Sequence, residues 1–116
     1  MASNHKMLGV ANIANNNVNT LMYTVPNDVY SVVQIKVTNL HSDPVNVSIG
    51  LSATGTPGAN EWLEYQNEIP VGGSIERSGV VLEATRNVVV NVADTGGGTA
   101  NVSAVLTGVE VGIPTE

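Results

Sequence analysis

The chain has 116 residues, ten Asp or Glu against four Lys or Arg for a formal charge of −6, 42% apolar and 12% charged residues, and no cysteine or phenylalanine. Surface scaling for this size gives a folded area of roughly 6,000 Å² against about 17,000 Å² unfolded, which suits one domain with a thin core. Lacking cysteine, the chain can form no disulfide, thiolate nucleophile or Cys-type zinc site.

Lys6, Lys36, Arg77 and Arg86 are scattered among the acids, so no basic stripe exists to neutralise phosphates, and nucleic acid is not an expected partner. No apolar run approaches the roughly 20 residues of a spanning helix, and the acidity opposes an anionic leaflet; no membrane partner is expected. The opening MASNHKMLGVANIA has one early Lys and is interrupted by Asn12, a poor secretion signal, so residue 1 is read as the mature start.

Residues 1–20 are rich in Asn and Ala and show no sustained period. They read as a flexible or extended N-terminal arm whose apolar members Met7, Leu8, Val10 and Ile13 are too sparse for a core but suited to lying on another surface. Residues 21–116 read as the folded domain. Its first segment is 21–25. Over 29–40, Val29, Ser31, Val33, Ile35, Val37 and Asn39 alternate with Tyr30, Val32, Gln34, Lys36, Thr38 and Leu40, the period of a strand, and the density of β-branched residues argues against a helix. Val45, Val47, Ile49 and Leu51 alternate with Asn46, Ser48, Gly50 and Ser52, one face buried and one wet, after a hairpin expected through Asp43-Pro44. Residues 54–60, with Gly55, Pro57 and Gly58, form a loop, and strands are expected over 62–69, 74–82, 88–93 and 99–109. About seven short strands with Gly and Pro turns and no helix mark a single antiparallel β-sandwich, with immunoglobulin-like and jelly-roll strand orders both open. Its edges invite self-association, since few charges blunt them.

Asp94-Thr95-Gly96 spells an aspartic-protease triplet, but only 20 residues follow it and Gly97 and Gly98 make it a hairpin tip. Glu61, Glu64 and Glu68 have the density of a glycosidase pair, yet Glu64 and Glu68 would share a solvated strand face with nothing to raise a pKa. His5 and His41 fall in arm and turn, which makes a remote metal pair. Asn46-Val-Ser48 and Asn101-Val-Ser103 match the glycosylation triplet but sit inside expected strands. Trp62 and Tyr65 beside the Gly-Pro loop suggest core, interface or, less readily, a sugar-stacking platform. No catalytic residue, cofactor or metal is expected.

Tyr23-Thr24-Val25-Pro26 leading into the long alternating segment, Glu64-Tyr65 before Pro70-Val71-Gly72, then Ile75-Glu76-Arg77-Ser78-Gly79, and a close at Leu106 to Glu110 resemble, in order and spacing, a small β-sandwich of tailed-bacteriophage virion proteins over about four fifths of the chain. The Asn-rich arm and the Gly96 to Gly98 turn depart from that pattern. The resemblance implies a structural protein without catalytic residues: a capsid decoration (cement) protein on the capsid exterior, made in the host cytoplasm, with the major capsid protein and its own copies, as a homotrimer, for partners. A tail- or fibre-associated module contacting tail proteins or host glycan is the alternative. Met7, Leu8, Val10, Ile13, Tyr23, Tyr30, Trp62 and Tyr65 are the expected partner-binding residues, because aromatic and apolar side chains anchor interfaces.

Overall fold

Alternating β-branched residues favour extended chain throughout, and the computed structural model, which describes residues 6–14, 17–94 and 100–112, has no helix among them. The first half of the chain supplies Lys6–Ile13 (β1), Asn19–Thr24 (β2), Val29–Asn39 (β3) and Val45–Ser52 (β4). The second half supplies Trp62–Ile69 (β5), Ser74–Leu82 (β6), Asn87–Asp94 (β7) and Val102–Gly112 (β8). Each of the seven expected segments contains a strand, and β4, β5 and β6 match their expected ends.

The eighth strand is β1, drawn from the stretch read as an arm. It pairs antiparallel with β8, Val10 opposite Val105 and Ile13 opposite Val102, and Ile13 is a core residue at 3% exposure. The expected boundary after residue 20 therefore falls inside β2. A register shift between Met7 and Gly9 explains why no period was visible: one extra residue resets the alternation, so the inward Leu8, Ala11 and Ile13 do not sit two apart throughout.

Two antiparallel sheets result, ordered β1-β8-β3-β6 (the first sheet) and β2-β7-β4-β5 (the second). The order follows from folding the chain back on itself at the β4–β5 turn. β4 then meets β5, β3 meets β6, β2 meets β7 and β1 meets β8, while β3–β8 and β4–β7 pairs join the halves. This is the eight-stranded jelly-roll order, which resolves the alternative left open above. Among the described residues, only β4 and β5 are consecutive strands of one sheet. The Asp43-Pro44 turn is accordingly a crossing between sheets and not the hairpin expected. β7 and β8 also lie in different sheets, and the expected Gly-rich hairpin tip, 95–99, lies outside the described residues.

Inward positions of both sheets make one core: Ile35 and Val37 of β3, Val47 and Ile49 of β4, Val88, Val90 and Val92 of β7 and Leu106 of β8 are all at most 2% exposed. Each such side chain contributes about 1.5–3 kcal/mol by leaving water. Buried Asn39 closes one end, its Nδ2 donating to the carbonyls of Asp43 at 3.0 Å and Ile69 at 3.1 Å and its Oδ1 accepting the His41 N–H at 2.8 Å. That one amide fastens the β3–β4 and β5–β6 crossings together.

Candidate functional site

The outer face of the first sheet is unusually apolar. Ser31 and Val33 point inward, so Val32 points out, and the register aligns it with Val81 of β6 and Val109 of β8. Tyr30 stands beside this valine row opposite Val111, and Met7 and Val10 extend the surface along β1. Val81 is 67% exposed, Val10 62% and Met7 61%. The charges nearby are Glu76, which accepts a hydrogen bond from Gln34 Nε2 at 2.7 Å, and Lys36 opposite it.

The outer face of the second sheet is built differently. Gly50 leaves a gap into which Pro57 and Trp62 pack, since a Cβ there would lie 2.3 Å from Pro57 Cγ. The β4–β5 loop thus lies over outward-facing Val89, which is 0% exposed although it is not part of the core between the sheets. Trp62 and Tyr65 stand with ring centroids 5.4 Å apart and planes tilted 57°. Beside them runs a row of neutral polar groups: Asn19, Asn91 and Ser48 are cross-strand neighbours on β2, β7 and β4. Asn91 Nδ2 donates to Asn19 Oδ1 at 2.9 Å, and Ser48 Oγ accepts the Gln66 N–H at 2.8 Å. Rings and row enclose a groove of about 350 Å³ whose lining carries no charged side chain among the described residues.

At one end of the sandwich Tyr23, Ser31 and Glu110 meet. The Tyr23 hydroxyl donates to Glu110 Oε2 and lies 2.8 Å from Ser31 Oγ, and Lys6 Nζ lies 3.0 Å from Glu110 Oε1. Burial, then the Glu110 hydrogen bond, pushes the Tyr23 hydroxyl up to about 12; the Tyr23 hydrogen bond, then Lys6, holds Glu110 below the usual carboxylate range.

The acids considered for catalysis have structural partners. Glu61 accepts from the N–H groups of Gly58 at 2.8 Å and Ala53 at 3.1 Å, which lower its pKa, and pairs with Arg86 at 2.9 Å. Glu64 pairs with Arg77 of β6, bridging the sheets, and accepts from Asn67 Nδ2. Glu64 lies opposite inward Ile49 while Glu68 lies opposite outward Asn46, so the two do not share a face as expected; the left-handed Gln66, φ 49°, resets the alternation between them. Asp94 ends β7 with its side chain 3% exposed, 3.6 Å from His41 Nε2, which is 3.8 Å from Asp43. One imidazole and two carboxylates with ligand atoms within 4.8 Å form a donor set that could take a divalent cation. His5, which the sequence paired with His41, lies outside the described residues.

The eight residues expected to bind partners are therefore distributed. Met7, Val10 and Tyr30 share the first sheet's outer face, Trp62 and Tyr65 lie on the second, and Leu8, Ile13 and Tyr23 pack against or within the core. Val32, Val81 and Val109 were missed because only cross-strand register makes them one row, and the Asn19–Asn91–Ser48 row was missed for the same reason.

These features define an all-β jelly-roll module with two chemically distinct outer faces. Among solved structures, the chain is similar to a protein of the disulfide-linked pili that form Bacillus endospore appendages, with TM-score 0.59 and 12% identity over 97% of this chain and 90% of that one. It is also similar to a chain of the T13 viral particle of the icosahedral virus IBDV, with TM-score 0.56 and 12% identity over 96% of this chain. The chain spans 31% of that viral protein's length. No family model matches the sequence, and no curated protein matches it. At this identity the likeness is one of fold.

Proposed function

We propose that the chain is a structural protein of an assembled particle, a capsid decoration protein that sits on the outer surface of the major capsid protein lattice as a homotrimer. The observation that carries this reading is the valine row on the outer face of the first sheet. Copies carrying −6 each repel one another, so a shared surface needs apolar area without unpaired acids. On that face Glu76 is hydrogen-bonded to Gln34 and lies opposite Lys36, and Val81, Val32 and Val109 offer contiguous apolar area. In this reading the valine row is the contact between copies, and trimerisation multiplies weak contacts with a repeating lattice. Support also comes from the similarity of fold between this chain and proteins of a pilus and of a viral particle. Without cysteine, copies of this chain cannot be joined by disulfides as the disulfide-linked pili are.

Light scattering at micromolar concentration tests the trimer: the expected mass is about three times 12.0 kDa, and a monomer only would overturn it. An electron-microscopy map of the particle containing the protein tests the location. Copies spread over the head shell support decoration, and copies at a single vertex support the second reading, a tail or fibre module. That second reading draws on the neutral aromatic groove of the second sheet, which suits a glycan better than a protein lattice.

A further inference from the structure

We propose that the groove on the outer face of the second sheet binds a neutral oligosaccharide, with Trp62 as the platform for one sugar ring and the Asn19–Asn91–Ser48 row reading its hydroxyl groups. The site does not require the capsid reading, since a decoration protein or a tail module could present it.

The chemistry of the lining selects the ligand class. A sugar hydroxyl both donates and accepts, and a primary amide is the side chain that offers two donors and an acceptor oxygen in one plane. The Asn91–Asn19 hydrogen bond at 2.9 Å uses one donor of Asn91 and the acceptor of Asn19. It fixes both amide planes and leaves Asn91 Oδ1 and the Asn19 Nδ2 hydrogens without a side-chain partner among the described residues. Ser48 Oγ accepts the Gln66 N–H, so its own proton is available to donate. Asn46, two residues from Ser48 on the same face of β4, lines the groove and makes no side-chain hydrogen bond among the described residues. The site thus displays both donors and acceptors in fixed positions before any ligand arrives, which lowers the ordering cost of binding.

The aromatic pair supplies the other half of sugar recognition. Pyranose rings present patches of C–H that pack on an aromatic face, and Trp62 and Tyr65, tilted by 57°, form an angled pair and not a closed stack. Tyr65 is 63% exposed, so its ring is accessible to a ligand in the groove. About 350 Å³ falls at the lower end of the range for small-molecule sites, room for one or two sugar units. The absence of Lys and Arg from the lining among the described residues favours neutral sugars over sialic, uronic and sulfated ones, whose charge would meet no cation there. A peptide strand is disfavoured because it would dock by backbone pairing along an edge, whereas this groove lies on the sheet face and offers side chains.

Trp62 is the sole tryptophan, so its emission reports directly on the site. The full-length protein would be screened on an array of neutral, sialylated and sulfated glycans. Maltotriose, cellotriose and triacetylchitotriose would then be titrated against Trp62 fluorescence. The expected result is selective retention of neutral glycans and a saturable shift of Trp62 emission with at least one trisaccharide. Tyr65→Ala and Asn46→Ala should each weaken that titration about tenfold at unchanged melting temperature, because each removes an exposed ring or an unengaged amide. Trp62→Ala is avoided as the deciding variant, since Trp62 also supports the loop over Gly50. No response to any neutral sugar, retention of charged glycans alone, or a titration indifferent to both variants would overturn the proposal. So would a loss of self-association in Tyr65→Ala, which would make this face a contact between copies. The particle map fails or succeeds separately, so failure of the capsid reading is distinguishable from failure of the groove.

Discussion

The Tyr23 hydroxyl donates to Glu110 Oε2 at 2.5 Å and lies 2.8 Å from Ser31 Oγ, tying edge strand β2 of the second sheet to β8 and β3 of the first. Hydrogen bonds to a carboxylate are stronger than neutral ones, and this one spans the two layers where no backbone ladder does. Tyr23→Phe keeps the ring and removes the donor. It is expected to lower stability by about 1.5–3 kcal/mol, or the melting temperature by roughly 5 to 10 °C. A melt superimposable on that of the parent would show that packing alone holds the layers at this end.

The contribution of the same pair depends on pH. Glu110 titrates below its ordinary value in the fold because of Tyr23 and then Lys6, so its contribution is complete above the unfolded pKa of about 4.3 and fades as pH falls through the folded one. Tyr23 is raised from 10.0 to about 12, so its contribution is complete below the unfolded value and fades as pH rises between them. The gap in melting temperature between the parent and Tyr23→Phe should therefore be widest across about pH 5 to 9 and narrow on both sides. A gap independent of pH would contradict the assignment.

Gly108 of β8 lies where a Cβ would come 2.2 Å from the Val32 carbonyl oxygen and 2.8 Å from Val33 Cα. Both are backbone atoms of β3, which is hydrogen-bonded on both sides and cannot step away. Gly108→Ala is expected to cost about 1–3 kcal/mol or more, measured by urea unfolding, whereas Gly55→Ala, which meets nothing within 4 Å, should be near neutral. Equal midpoints for the two variants would refute the close β3–β8 approach.

What was legible follows from the period of a strand. β3 buries one face and wets the other, so alternation alone located it. The spacing of Val45, Val47, Ile49 and Leu51 located β4 as well, but its other face is not the wet one expected, because Ser48, Gly50 and Ser52 are buried, Gly50 beneath Pro57 and Trp62. β1 was hidden by the irregularity between Met7 and Gly9, and the faces of Glu64 and Glu68 by left-handed Gln66, because one inserted residue inverts a pattern of period two. Strand order was not legible, since it depends on pairs such as Ile13 with Val102 that leave no local trace. The groove was half legible. Trp62 and Tyr65 stood out as rare aromatics, but the amides that complete it come from β2, β4 and β7, and nothing in the sequence brings Asn19 beside Asn91.

Val81 gives the cleanest test of the proposed contact between copies. It is 67% exposed on edge strand β6, so Val81→Asp leaves the core untouched and should alter the melt of a monomer by less than about 0.5 kcal/mol. Added to a chain already at −6, the carboxylate would face an apolar neighbour in the assembled state. Light scattering should then show the trimer shifted to monomer at the same concentration, with circular dichroism unchanged. Persistence of the oligomer would move the contact away from the valine row.

Ile13→Ala distinguishes a strand that belongs to the fold from an arm that merely lies near it. Ile13 is 3% exposed, packed in the core and opposite Val102 in the β1–β8 ladder. Truncating a buried Ile leaves a cavity as well as losing transfer energy, so a loss of about 2–5 kcal/mol is expected. Removing residues 1–13 altogether would go further and leave β8 as an unprotected edge, with a lower melting temperature and aggregation through its exposed N–H and C=O groups. A dispensable arm predicts the opposite, an unchanged melt for both the point variant and the truncation. Thermal denaturation followed by circular dichroism at one protein concentration decides between them, because the two expectations differ by roughly 8 °C or more for a domain of this size.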